Sequence, residues 1–296
     1  MFARSVFALV AALALQMHCP ALAQVSITER LALDQPPAVA ASSNAKDTGY
    51  PEQSLAGFKW AIDRGVDIVV IGVQETADDR YIVLRDATLT RTTNVREVYP
   101  DGPPRRDSGD TAAAWHLVSD YTIDELQHIR LRDPREGDHL VPTLDETLDL
   151  IDGRMLAVLK LDMYDTDTLG ALLEARATEN LLLFTWSDQA KLRDFSLATG
   201  IGVWGTVENL DALPAFEKLL ELYGSSLRIV DVEADQITSD LVARTTENGV
   251  RLSLVGPMQD MAISGGNPAP WLAAFDNPAG AYKTQYPDEI MQLVGR

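Results

Sequence analysis

Cysteine is nearly absent from this chain: 296 residues contain one Cys and four His. That excludes a disulfide framework and a Cys/His zinc site, so any hard-metal chemistry would have to come from carboxylates. Positive charge is also scarce. With 25 Lys and Arg against 44 Asp and Glu, the formal net charge is -19, which argues against nucleic acid as a partner. No G-x-G-x-x-G opens the first strand-to-helix turn, and no Gly-Lys-Ser/Thr follows the glycines at Ser264-Gly265-Gly266, so neither a dinucleotide fingerprint nor a P-loop is present. Beyond the N-terminus no apolar run approaches the roughly 20 residues of a bilayer span, so no stable membrane span is expected. What is there is a 46% hydrophobic composition, enough for one large core or two modest ones.

The N-terminus reads as an export signal over 1–23. Arg4 precedes an apolar run from Ser5 to Leu15, Gln16, His18 and Pro20 end it, and Ala21-Leu22-Ala23 fits a small-x-small cleavage site before Gln24. The expected product is exported, periplasmic or secreted, free of cysteine, and keeps only His116, His128 and His139. Residues 24–37, with Gln35-Pro36-Pro37 and no clear period, are expected to form a flexible leader.

From 38 to 296, short β-rich runs alternate with helical patterns. Strands are expected at Ala38–Ser42, Ile68–Gln74, Tyr81–Leu84, Met155–Leu161, Leu181–Phe184, Gly202–Gly205, Leu227–Val232, Val250–Val255 and Ala281–Thr284. Amphipathic helices lie between them, and Gly65, Gly200 and Gly249 stand where left-handed C-caps belong. The repeat points to an α/β fold with a parallel sheet. A closed (β/α)8 TIM barrel suits the count better than an open doubly wound sheet. Between about 94 and 142 the rhythm breaks at Pro100, Pro103 and Pro104, marking a long insertion after an early strand, either a solvated excursion or a lid at the mouth.

Four stretches carry a resemblance. Tyr50-Pro51-Glu52-Gln53-Ser54 through Gly65-Val66-Asp67, then Arg85-Asp86-Ala87-Thr88-Leu89-Thr90-Arg91-Thr92-Thr93-Asn94, Val141-Pro142-Thr143-Leu144-Asp145-Glu146 and Thr284-Gln285-Tyr286-Pro287 stand in order along the chain. They resemble motifs of the glycerophosphodiester phosphodiesterases. The resemblance implies a TIM barrel and cleavage of glycerophosphodiesters to glycerol 3-phosphate and an alcohol. It also implies two catalytic His and a Ca2+ or Mg2+ held by three carboxylates.

This chain departs from the implied set at each chemical position. Ser43 stands where the first His is implied and Arg85 where the second is; a guanidinium stays protonated and cannot act as a base. Val70 and Gly72 occupy the two carboxylate slots on the second strand, and Val158 or Lys160 the third, unless the register slips to Asp162. Losing one general acid or base costs about 10²- to 10⁴-fold. The expectation is therefore a phosphodiesterase-like barrel that is catalytically degenerate and needs no cofactor.

Strand parity puts Val70, Gly72 and Gln74 on one face and Val158, Lys160 and Asp162 on another, so Arg85, Lys160 and Gln74 are expected to converge as a site for a glycerophosphodiester, phosphate or other small anion. The plainer reading has Arg85 paired with Asp86, Asp162 or another acid. Two further alternatives stay open. One is an active, Ca2+- or Mg2+-dependent hydrolase with relocated groups in the insertion, where His116, Asp107, Asp110, Asp120 and Asp138 lie. The other is a non-catalytic interaction barrel whose protein partner is unknown. His128, in an expected helix Ile123–Leu131, and His139 read as surface residues. Trp186, Trp204 and Trp271 are either core or the wall of an apolar subsite, and Asp231, Glu233 and Asp162 are candidates for a new cation site.

Overall fold

A computed structural model of the chain describes residues 26–104, 114–132, 137–185, 189–207 and 211–296. The export signal at 1–23, together with Asp107, Asp110 and Trp186, lies outside the described residues. Nine strands form: β1 Ala38–Ala41, β2 Ile68–Glu75, β3 Tyr81–Val83, β4 Leu156–Leu161, β5 Leu181–Phe184, β6 Gly202–Thr206, β7 Leu227–Val232, β8 Arg251–Val255 and β9 Ala281–Thr284. Eight of them pair in parallel in the order β1-β9-β8-β7-β6-β5-β4-β2, and pairing of Ala40 with Ile68 closes the ring. The closed barrel, not the open sheet, is therefore the fold. Strands buried on both faces explain the near-continuous apolar runs in the sequence.

The two faces of each strand feed two cores. Ala38, Ala40, Ile68, Val70, Leu156, Val158, Leu182 and Trp204 fill the barrel, whereas Val39, Val69, Ile71, Leu159 and Leu183 meet the surrounding helices. Helix Leu55–Arg64 shows how the sequence builds that outer layer. Ser54 accepts the N–H of Gly57, Phe58 and Ala61 are buried, and Gly65 at φ 76° stops the helix in the left-handed region, as Gly200 and Gly249 do elsewhere. The Val-Pro-Thr-Leu-Asp-Glu stretch is a capping box: Thr143 Oγ1 accepts the N–H of Glu146 at 3.1 Å, and Glu146 Oε2 accepts that of Thr143 at 2.9 Å.

Three expectations are corrected. β3 is not a barrel strand. It folds back antiparallel on β2, pairing Val83 with Val73 and Tyr81 with Glu75, because only five residues separate the two strands and a parallel crossover needs a dozen or more. The helix expected over Ile123–Leu131 ends at Leu126, after which Leu131 bridges Thr93 and Arg130 bridges Leu140. These segments give the insertion its own small core around Leu89, Val95, Tyr121, Leu126, Ile129 and Leu131, all buried.

The third correction concerns the leader, which from Ser26 onward is built into the fold. Helix Ile27–Arg30 drives Ile27 and Leu31 into the barrel core, sealing its floor. Arg30 Nε reaches Asp67 Oδ1 at 2.8 Å, and Asp67 Oδ2 accepts the N–H of Val39 at 2.8 Å and Arg296 Nη1 at 2.6 Å. Buried Arg251 donates to the carbonyls of Ala32, Gln35 and Gly280 and so staples the leader to β8 and β9. Arg251→Met removes the donor from three carbonyls. It is expected to lower unfolding stability by about 2–4 kcal/mol. Urea unfolding reads this as a lower midpoint at unchanged slope, and an unchanged midpoint contradicts the staple.

Candidate functional site

The C-terminal ends of the barrel strands open into a cavity of about 410 Å3. In barrels of this kind that end carries the chemistry. Its lining includes Ser42, Ser43 and Asn44 after β1, Val70 from β2, Arg85 after β3, Lys160 from β4, Phe184 from β5, Thr206 from β6, and Lys283 and Gln285 from β9 and its end. Val255, Gly256, Pro257 and Asp260 complete it.

Local structure fixes the first wall. β1 stops at Ala41, leaving the β1 side of β2 without a ladder partner beyond Val69. Gln53, at φ 60°, takes over that role: its Oε1 accepts the N–H of Gly72 at 2.8 Å, while Nε2 donates to the carbonyls of Val70 at 3.1 Å and Ser43 at 3.0 Å. The Pro-Glu-Gln stretch thus holds Ser43 against β2. Glu52 of the same stretch, with Asp86, clasps Arg91, one contact being Nη1 to Oε2 at 3.1 Å.

The hairpin fixes the second wall. Leu84 donates its N–H to the Gly72 carbonyl at 2.9 Å, laying the chain over the face where a side chain at position 72 would project. A Cβ built there would stand 2.4 Å from the Leu84 carbonyl oxygen and 2.7 Å from Arg85 Cα. The slot is filled by backbone, and Val70 and Val158, the neighbouring positions, present only hydrocarbon to the barrel core. These residues do not fit a divalent ion, which needs converging oxygen ligands. Among the described residues no group of three or more His, Cys, Asp or Glu is placed to hold a metal.

Instead the mouth collects cations. Lys160 lies directly across from Gly72 in the β2–β4 register, so Arg85 and Lys160 are neighbours. Burial lowers the pKa of the Lys160 ammonium; Asp162 opposes the shift, and Arg85 and Lys283 reinforce it. Lys283 pairs with Asp231 and stands 4.8 Å above the centre of the Phe184 ring. Asp231 is fully buried and also accepts Trp204 Nε1 at 2.8 Å. Asp260 accepts Thr284 Oγ1 at 2.6 Å, Trp271 Nε1 at 3.0 Å and the N–H of Gln285 at 2.7 Å, and burial raises its pKa despite these donors.

Of the three residues expected to converge, the structure brings Arg85 and Lys160 to the mouth. Gln74 is buried instead, its Nε2 held by Asp162 Oδ2 at 2.9 Å and near the Leu84 carbonyl at 3.5 Å. Asp86 is bound by Arg91 and Asp162 holds Gln74, and among the described residues no ion pair joins a carboxylate to Arg85, so the plain ion-pair reading of Arg85 is not met among them. Asp231 serves Lys283 and Glu233 caps the short turn Ala234–Gln236, so neither joins Asp162 in a cation site. Trp204 and Trp271 are fully buried core.

The insertion contributes nothing to the lining among its described residues. His116 is buried in the insertion, its Nδ1 2.7 Å from the Tyr121 hydroxyl, and burial lowers its pKa with help from Arg96. Sequence reasoning missed Lys283, Phe184, Thr206 and Asp260. Alternation along β9 was the available signal for Lys283, since Lys283 and Gln285 share a face with core residue Ala281.

With this geometry the chain's kinship is settled. It matches the Glycerophosphoryl diester phosphodiesterase family over residues 44–233 and belongs to that family. A glycerophosphodiester phosphodiesterase of Bacillus altitudinis is 26% identical over 149 residues, 49% of this chain and 53% of that protein, so the match spans about half of the relative's length. A crystal structure of a family member from Parabacteroides distasonis superposes with a TM-score of 0.71 at 20% identity, covering 92% of this chain and 93% of that one. An Oleispira antarctica phosphodiesterase, solved with its product sn-glycerol-3-phosphate, gives 0.63 at 18% identity, covering 88% and 98%.

Two outcomes follow. Gly72→Ala forces the Leu84–Arg85 backbone off β2 and is expected to cost about 1–3 kcal/mol in urea unfolding; no loss would contradict the filled slot. Asp47, in the loop after β1, accepts the N–H of Glu289 at 3.0 Å, and its buried Oδ1 has no partner. Burial raises its pKa from 3.8 to about 6, against that N–H, and Asp288 adds to the rise. The raised value means that its contribution to stability is complete below pH 3.8 and is lost as pH climbs through about 6. Asp47→Asn should therefore flatten the pH 4–6 stability slope. At pH 7.5 it should gain on the order of 1 kcal/mol, reduced from full linkage by partial solvation. An unchanged slope would count against a raised Asp47.

Proposed function

We propose that this chain is a catalytically degenerate member of its family whose mouth binds a small anion, a phosphate or phosphodiester, through Arg85, Lys160 and Lys283 without a metal ion. The observation that carries the reading is the Leu84–Arg85 backbone lying 2.4–2.7 Å from the Cβ direction of Gly72, where the resemblance implied a metal carboxylate. Restoring an acid there would require the hairpin to move. Fixed cations are a workable substitute for a divalent ion in holding an anion, because Arg offers a bidentate fork and Lys a point charge. The product-bound Oleispira relative supports a phosphate-bearing occupant. Hydrolysis has little support, since the two implied His positions hold Ser43 and Arg85, and His116 is enclosed in the insertion with Tyr121. The N-terminal signal pattern supports export, to a periplasmic or extracellular location.

The test has two arms on the purified protein. Release of glycerol 3-phosphate from glycerophosphocholine, with Ca2+ or Mg2+ added, is expected to stay at background; chelator-sensitive turnover overturns the degenerate reading. Calorimetric titration with inorganic phosphate is expected to give saturable binding that weakens roughly tenfold or more in Arg85→Gln. No heat at millimolar phosphate overturns the anion site.

A further inference from the structure

Two of the chain's six lysines, Lys160 and Lys283, line the mouth, and they stand in opposite electrostatic settings. Lys283 is paired with fully buried Asp231. Taking its proton away would leave that carboxylate desolvated without its counter-ion, so the fold holds Lys283 as an ammonium. Lys160 is half-buried on β4, between Gly72 of β2 and Phe184 of β5 in the sheet register, with the Arg85 backbone packed over Gly72. Burial, Arg85 and Lys283 all favour its neutral amine; Asp162 and Asp86 oppose them, but Asp162 is turned to Gln74 and Asp86 to Arg91. A desolvated amine beside other cations is the setting in which a lysine becomes a nucleophile.

The electrophile that suits this cluster is one whose product is an anion. An imine or an amide at Lys160 would leave the other cations facing a positive or neutral group, whereas a carbamate turns their repulsion into attraction. We propose that carbon dioxide adds to Nζ of Lys160 and that the carbamate, gripped by Arg85, takes the place of the anionic ligand, so that carbon dioxide switches the mouth off. In this step the amine lone pair forms a C–N bond to the carbon, one C–O π bond opens onto oxygen, and the nitrogen releases a proton to solvent. A cation becomes an anion. The carbamate presents its oxygens in one plane, the shape that a guanidinium fork matches, and the cavity of about 410 Å3 has room for the added group. The switch rests on the anion-binding reading above; the carbamate itself rests on the cation cluster alone.

Carbon-13 NMR of the protein in labelled bicarbonate at mildly alkaline pH tests the modification. A carbamate resonance is expected that is missing in Lys160→Arg, which keeps the positive charge but cannot carbamylate, and that falls roughly fivefold in Arg85→Gln at the same bicarbonate concentration. A wild-type spectrum no different from that of Lys160→Arg overturns the modification. Calorimetric titration with inorganic phosphate at constant ionic strength tests the switch. Bicarbonate is expected to weaken phosphate binding roughly threefold or more in the wild type and to leave Lys160→Arg unchanged. Equal weakening in Lys160→Arg is plain competition between anions and overturns the switch, as does a wild-type affinity indifferent to bicarbonate. A Lys160-dependent resonance in a protein that binds no phosphate removes the anion reading, and the switch with it, while the carbamate stands.

Discussion

A single backbone hydrogen bond, from the Leu84 N–H to the Gly72 carbonyl at 2.9 Å, sets the character of the barrel mouth. It closes the β2–β3 hairpin over the one inward-facing position on β2 that has no side chain. Gly72 is required there because any Cβ would collide with backbone, and backbone cannot yield as a flexible side chain can. The same contact carries Arg85 to the mouth beside Lys160. The missing side chain on β2 at this point and the guanidinium beside it are thus two results of one local fold.

Around this contact the electrostatics are arranged so that the acids serve the fold and the cations face the cavity. Asp231 is committed to Trp204 and Lys283, Asp162 to Gln74, Asp86 to Arg91, and Asp260 to three donors. Buried carboxylates need such partners, since desolvated charge is costly without them. The net charge of -19 therefore describes the surface of the protein and not its mouth. At the other end Arg251 and Asp67 join the leader and the C-terminal Arg296 to the barrel floor, closing the side away from the cavity.

Much of the barrel was legible because each strand is a short apolar run buried on both faces, and helix ends carry Gly65, Gly200 and Gly249. The direction of β3 was readable in principle from the short link after β2, which is too short for a parallel crossover, although the three residues Tyr81 to Val83 carry no such signal themselves. The leader escaped notice because Ile27 and Leu31 stand in a short proline-bearing stretch without a clear period, and the core they enter is built from distant strands. At the site, Arg85 and Lys160 were readable from motif position and parity. Gln74 was misjudged because its partner Asp162 lies 88 residues away, just past the end of β4. Lys283 was readable in principle from the alternation of β9, whereas the role of Asp231 depends on Trp204 and Lys283 and appears only in three dimensions.

The central claim is that fixed cations, and not a divalent ion, hold the ligand at this mouth. Titrating inorganic phosphate into the protein in excess chelator, and again with Ca2+ or Mg2+ in place of chelator, tests it most directly. The account predicts the same affinity in both. Binding that appears only with the metal ion would contradict it.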